Sequence, residues 1–222
     1  MIHHLIWDFD GTLFDTYPAI TRALSETLND VGSSAPLDWI EGLTKKSLDH
    51  CVSTLANEFN ISEEEVISGF RQHYGSIPPR EQLPFPGVID ICEYVCSVGG
   101  TNVIVTHRGR ESTTRLLTAH NMVRYFADCL TRDDDYPRKP DPAAFEAMIE
   151  KHGFRREETL AIGDRDIDIL AGQAAGIRTC LFGTGPNDVA ADLTITDYAE
   201  LHRLIVAEHD ASDLDSTQPS VQ

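Results

Sequence analysis

From Gly87 onward the chain alternates between helical and extended patterns, and this alternation constrains its fold more than any other feature. Val88, Ile91, Cys92, Val95 and Val98 recur at helical spacing, Gly99-Gly100 ends that run, and Val103-Ile104-Val105 follows as a short apolar stretch. A helical segment near residues 110–119 precedes an apolar run from Phe126 to Leu130. A helix is then predicted from Pro142 to Lys151, a strand from Thr159 to Ile162, a helix from Asp166 to Ala175, a strand from Ile177 to Phe182, and a last helix from Asp197 to about Glu208. Short apolar runs bounded by turn residues read as strands buried on both faces. Helices between them supply the crossovers that parallel strands need. The expected fold is therefore α/β: a doubly wound, mostly parallel, Rossmann-like sheet with helices on both faces.

One block breaks the alternation. Leu5-Ile6-Trp7 reads as the first strand, and Thr16-Tyr17-Pro18 then opens a helix with proline in its first turn. Ile20, Ala23, Leu24, Leu28 and Val31 carry its apolar face, and Gly32-Ser33-Ser34-Ala35-Pro36 ends it. Residues 37–74 are helical in character, and Ser62-Glu63-Glu64-Glu65 has the spacing of a capping box. Pro78, Pro79, Pro84 and Pro86 mark a linker. The predicted organisation is a core domain from residues 1–15 and 85–208, a helical domain inserted at 16–84 as a lid, and a polar, aperiodic tail at 209–222 expected to be disordered.

The first strand ends in chemistry. Asp8 and Asp10 flank Phe9, and Gly11 follows. Side chains alternate along an extended chain, so the two carboxylates point the same way. Two such charges held close need a cation, a shared proton or a catalytic task. An aspartate can attack a phosphoryl group, and a second can carry the leaving-group and water protons. Gly11 permits a tight turn or the close approach of a ligand. In open parallel sheets ligands bind beyond the carboxyl ends of the strands. Thr106 follows Val103-Ile104-Val105, Asp164 follows Leu160-Ala161-Ile162-Gly163, and Lys139 lies in the loop after Leu130. All four polar groups are thus expected on one edge of the sheet.

These segments resemble the four motifs of the haloacid dehalogenase-like hydrolases, in order and over about residues 1–208. Asp8, Asp10, Gly11, Thr12, Leu13 and Asp15 match the first motif, Val-Ile-Val-Thr the second, Arg-Lys-Pro-Asp-Pro the third, and Gly163-Asp164 with Asp168 the fourth. The resemblance implies a phosphatase that acts on a small phosphorylated metabolite through an aspartyl phosphate. In it Asp8 is the nucleophile and Asp10 the acid and base, while Thr106 and Lys139 bind the phosphoryl group with amides near Gly11. Mg²⁺ is held by the Asp8 side chain, the Asp10 carbonyl and the Asp164 side chain, with Asp168 in support behind them. Asp10 itself separates such phosphatases from the metal-free dehalogenases of the family.

The helical insertion is similar to the cap of the phosphoglycolate phosphatase-like subgroup. By that likeness Lys45, in Gly42-Leu43-Thr44-Lys45-Lys46-Ser47-Leu48, is a candidate for an anionic leaving group; a solvated lysine pair is the alternative. His107 and Arg108 are further candidates for facing the substrate. A sugar-phosphate mutase of the same family and a silent Mg²⁺-binding protein are rival readings. Mutases of this cap type carry a histidine where this chain has Ile20.

Composition bounds the partners. Thirty-six acidic residues against eighteen basic ones give a formal charge of −18. Such a surface argues against nucleic acid and against anionic membranes. The five cysteines form no zinc pattern, no window approaches the ~20 apolar residues of a membrane span, and the sequence begins without a signal-peptide pattern. A cytoplasmic protein with a small-molecule partner is expected.

Overall fold

The computed structural model describes residues 1–183 and 188–216. The chain forms two compact units: Met1–Phe14 together with the chain from Pro84 onward, and Asp15–Leu83.

The first unit is built on six strands, β1 (His4–Trp7), β2 (Thr101–Val105), β3 (Phe126–Leu130), β4 (Thr159–Gly163), β5 (Arg178–Phe182) and β6 (Leu193–Ile195). They pair in the order β3-β2-β1-β4-β5-β6, and every pairing is parallel. The chain winds outward from β1 through β2 to β3, then restarts at β4 on the other side of β1. The order reverses between β1 and β4, and such a switch point opens the crevice in which this kind of sheet binds ligands.

Alternation along the strands feeds two cores. Leu5 and Trp7 of β1, with Ile104, Leu160 and Ile162, pack against Val88, Ile91 and Val95 of α5 (Val88–Ser97) and Leu201 and Ile205 of α9 (Tyr198–Ser216). On the opposite face Ile6, Val103, Val105 and Ala161 meet Phe145, Met148 and Ile149 of α7 (Ala143–His152) and Ala171 of α8 (Asp166–Ala174). Helix α6 (Arg110–Ala119) adds Leu116 and Leu117 to the first face. Each fully buried aliphatic side chain contributes about 1.5–3 kcal/mol, and these contacts fix β1 centrally.

The second unit contains α1 (Tyr17–Asp30), α2 (Leu37–Lys46), α3 (Leu48–Phe59) and α4 (Glu63–Ser76) around Leu24, Leu28, Ile40, Leu55 and Val66. Helix α4 begins with a reciprocal capping box: Glu65 N–H donates to Ser62 Oγ at 3.1 Å, and Ser62 N–H to Glu65 Oε2 at 2.8 Å.

Two elements differ from the sequence expectation. Strand β6 was not anticipated, because three residues carry too little periodicity; it is specified by its pairing with β5. The last helix continues to Ser216 instead of stopping near Glu208, so residues 209–216 of the expected disordered tail are helical. Its continuation is anchored by His209, which is buried with Nε2 2.6 Å from the Ile2 carbonyl and its ring stacked 5.7 Å from that of His3. The rest of the expected tail, 217–222, lies outside the described residues.

Candidate active site

The loop after β1 is folded tightly on itself. Gly11 adopts φ +80°, a conformation that L side chains rarely tolerate. The N–H of Leu13 and that of Phe14 both donate to the Phe9 carbonyl at 3.0 Å, and Gly11 N–H to the Phe14 carbonyl at 2.9 Å. Phe9 and Phe14 are fully buried and stack at 4.7 Å, so the apolar residues of the loop anchor it beneath its acidic ones. Tyr198 Oη donates to the Thr12 carbonyl at 2.8 Å, and Thr12 Oγ1 to Asp164 Oδ1 at 3.3 Å.

Four adjacent strands then deliver the polar groups. Asp8 continues β1, its N–H donating to the Ile162 carbonyl at 2.9 Å. Thr106 follows β2 and is buried; its hydroxyl accepts the Arg108 N–H at 3.1 Å and keeps its own proton to donate. Lys139 arrives from the loop after β3, and its Nζ lies 2.5 Å from Asp8 Oδ1, 2.5 Å from Asp168 Oδ1 and 3.0 Å from the Val105 carbonyl. An ammonium has three protons, and here three acceptors surround it. Asp164 follows β4. Asp168, in the first turn of α8, accepts the Arg165 N–H at 3.2 Å on Oδ2. It can approach the strand because residue 163 is glycine: a Cβ there would lie 2.2 Å from the Asp168 Cβ.

Burial and charge set the protonation balance. Asp8 is pushed up to about 6 by burial, opposed by Lys139 and reinforced by Asp168. Burial works against the charged Lys139, but Asp168 and Asp8 prevail and raise it. Burial likewise opposes the charge of Asp168, yet Lys139 and Arg165 hold it below the usual carboxylate range. The ammonium and the Asp168 carboxylate are therefore ionised together, and Asp8 is the carboxylate left under-compensated.

That imbalance suits a cation. Asp8 Oδ2 is buried with no hydrogen-bond partner. Asp8, Asp164 and Asp168 can each offer an oxygen within 4.8 Å of the others. An all-oxygen, all-carboxylate set fits a hard divalent ion. Asp8 and Asp164 belong to the expected ligand set, and Asp168 joins them in the cluster while also holding Lys139.

Three candidates for substrate contact have partners within the protein. The His107 ring accepts the backbone N–H of Lys139 on Nε2 at 2.9 Å. Burial first, then the Lys139 and Arg165 cations, lower it to about 3, so the ring is a neutral acceptor. Arg108 places its guanidinium on Asp10, with Nη1 2.7 Å from Oδ1. Lys45 belongs to the Asp15–Leu83 unit, where its Nζ pairs with Glu41 Oε1 at 2.7 Å and lies 5.5 Å from the centre of the Tyr17 ring. Arg165 was missed by the sequence reading. Its Nε lies 4.0 Å from Asp164 and 3.9 Å from Asp168, and its three-residue spacing from Asp168 at a helix start was the available signal.

A buried carboxylate–lysine pair beside two more carboxylates, at the switch point of a parallel sheet, defines a class: α/β enzymes that handle an anion at the strand ends. The haloacid dehalogenase-like hydrolase family matches residues 5–182, and the chain belongs to it. Among its relatives, the phosphoglycolate phosphatase of Aquifex aeolicus is 29% identical over 209 residues, covering 90% of this chain and 95% of that protein. Pyrophosphatase PpaX of Halalkalibacterium halodurans is 27% identical over 189 residues, covering 82% and 84%. A crystal structure of a hydrolase from Streptococcus pneumoniae TIGR4 superposes with a TM-score of 0.65 at 29% identity, covering 92% of this chain and 98% of that one. These likenesses place the chain with the phosphoglycolate phosphatase-like members of the family.

Proposed function

We propose that this hydrolase cleaves a small phosphoric monoester in a Mg²⁺-dependent reaction that passes through an aspartyl phosphate on Asp8. The observation that carries the reading is the buried, unpartnered Oδ2 of Asp8 beside Asp164 and Asp168. An acidic cluster of this kind excludes a dianionic substrate unless its charge is offset. Mg²⁺ held by Asp8, Asp164 and the Asp10 carbonyl would supply that offset and polarise the phosphoryl oxygens.

The chain's own residues supply the rest. Asp8 attacks phosphorus and the bond to the leaving oxygen breaks, while Asp10 gives that oxygen its proton. Asp10, now a carboxylate, takes a proton from water; the water oxygen bonds to phosphorus, the bond to Asp8 breaks, and phosphate leaves. Lys139 and the Thr106 hydroxyl stabilise charge on the phosphoryl oxygens. Asp168 and the neutral His107 ring keep Lys139 in place, one through its ammonium and the other through its backbone. The Asp15–Leu83 unit takes the part of a cap that carries specificity, with Lys45 as a candidate contact for an anionic leaving group.

The test is phosphate release from a panel that includes phosphoglycolate, sugar phosphates, nucleotides and pyrophosphate, with Mg²⁺ and with EDTA. Release that needs Mg²⁺ and vanishes in Asp8→Asn supports the reading. Equal release in EDTA removes the metal from it, and an active Asp8→Asn removes the covalent step. The names of the relatives make phosphoglycolate and pyrophosphate the first compounds to try.

A further inference from the structure

Tyr198 is the first residue of α9 and its side chain is buried, yet the scheme above gives it no task. Aromatic neighbours fix the ring: Phe182 stacks on it at 4.3 Å, and the Trp7 and Phe85 rings lie at 5.8 Å and 6.4 Å. Gly87 leaves room for it, since a Cβ there would lie 3.1 Å from the Tyr198 Cβ. From this apolar mounting the hydroxyl reaches the acidic loop and donates to the Thr12 carbonyl, 186 positions away in the chain, at 2.8 Å. Thr12 is wholly buried in its turn, and its hydroxyl donates to Asp164 Oδ1 at 3.3 Å. The Thr12 N–H reaches the Phe9 carbonyl at 3.4 Å, so the bond from Tyr198 is the shorter of the two on the Thr12 backbone.

We infer that Tyr198 is a positioning residue for Mg²⁺ binding, acting through Thr12 on the Asp164 carboxylate. The inference rests on the phosphatase reading, in which Asp164 is a ligand. A partner behind a ligating carboxylate fixes the direction in which it faces the metal, and so strengthens binding without touching the ion. Asp164 meets other groups, Arg165 Nε among them at 4.0 Å, so Thr12 adds to its restraint and does not supply all of it. Tyr198 in turn sets where Thr12 stands. A buried carbonyl deprived of its donor bears a desolvation penalty, and that penalty favours a shift of Thr12 away from its present place.

Removing single hydroxyl groups tests this. Mg²⁺ alone, without substrate, is titrated calorimetrically into wild type, Tyr198→Phe, Thr12→Val, Thr12→Ser and the double variant Tyr198→Phe/Thr12→Val, with melting curves in EDTA for each. Thr12→Val should raise the Mg²⁺ dissociation constant ~10-fold, the lower end of the effect of losing such a partner. Tyr198→Phe, one bond further from the ligand, should raise it by less. Thr12→Ser keeps the hydroxyl and should restore most of the affinity. The double variant should bind no more weakly than Thr12→Val alone, because the phenol acts through Thr12. Phosphate release should follow: Tyr198→Phe should need more Mg²⁺ for half of its maximal rate, with the rate at saturating Mg²⁺ close to that of wild type.

Variants that melt lower in EDTA but bind Mg²⁺ as wild type does would overturn the proposal and leave both residues purely structural. Additive losses of affinity in the double variant would also overturn it, since Tyr198 would then act by another route. A wild type that binds no Mg²⁺ would remove the ligand role of Asp164, and this inference with it. A wild type that binds Mg²⁺ but releases phosphate from no compound of the panel would instead overturn the phosphatase reading, while the affinities of the variants would still decide the role of Tyr198.

Discussion

Lys139 Nζ stands 2.5 Å from Asp8 Oδ1, and the two side chains are exposed to only 1% and 2%. Removing such a pair from water costs more than an exposed pair returns, so its presence is weak evidence for a role in stability. The surroundings make that plainer. One ammonium faces Asp8 and Asp168, with Asp164 in the same cluster, and the cluster is left net negative. On the reading proposed above, a cation would offset that excess charge. Mg²⁺ should therefore raise the melting temperature, by the equivalent of about 2.7 kcal/mol when its concentration is a hundred times its dissociation constant. Scanning calorimetry with Mg²⁺ and with EDTA checks this, and coincident curves would remove the metal from the cluster.

Asp8→Asn separates chemistry from folding. Asparagine has nearly the same shape and no charge, and burial already raises the Asp8 carboxyl. Lys139 would retain Asp168 and the Val105 carbonyl. In EDTA the variant should melt no lower than wild type, lose most of its stabilisation by Mg²⁺, and release no phosphate. A variant that melts far below wild type would show that the Asp8–Lys139 pair carries stability after all.

Asp8, Thr106 and Asp164 were legible in the sequence because each directly follows an apolar run, and in a parallel sheet such positions collect on one edge. Lys139 was legible only through its motif, since nothing in a loop of the acidic and proline-rich stretch 131–142 says which side chain turns inward. The tasks of His107 and Arg108 were not legible. His107 bonds Lys139 across 32 positions and Arg108 bonds Asp10 across 98, and each contact depends on which way a loop side chain points. The length of the last helix was hidden for a similar reason: His209 sits in a polar stretch, and its partner, the Ile2 carbonyl, is 207 positions away.

His107 makes a pH dependence that can be signed. Burial, with Lys139 and Arg165 nearby, lowers it from 6.5 to about 3 in the folded protein. Between those values the unfolded chain binds a proton that the folded one does not. Its contribution is intact above pH 6.5 and is lost as the pH falls toward 3. His107→Asn keeps an acceptor near Lys139 N–H but cannot titrate. Its melting temperature should fall less steeply with acid than that of wild type over this window. His107→Ala should cost about 1–3 kcal/mol at neutral pH, because the Lys139 N–H loses its acceptor. Parallel acid limbs for wild type and His107→Asn would exclude the ring as the source.

Gly163→Ala tests whether the close approach of α8 to β4 serves activity or packing. An added Cβ would lie 2.2 Å from the Asp168 Cβ, 2.5 Å from its Cγ and 2.7 Å from its Oδ2. Asp168 cannot withdraw without leaving Lys139 Nζ and the Arg165 N–H. Overpacking of this kind costs about 1–3 kcal/mol, but the larger effect should fall on turnover, because Lys139 loses the carboxylate that orients it. The double variant Gly163→Ala/Asp168→Gly removes the side chain that is struck. If the clash is the source of instability, the double variant should melt above the sum of its two single changes, a coupling that a double-mutant cycle measures directly. Its phosphate release should stay as low as that of Asp168→Gly, since space is restored and the carboxylate is not. Recovery of activity along with stability would mean that Asp168 serves only to fill the joint between strand and helix, and that Lys139 is oriented by Asp8 and the Val105 carbonyl alone.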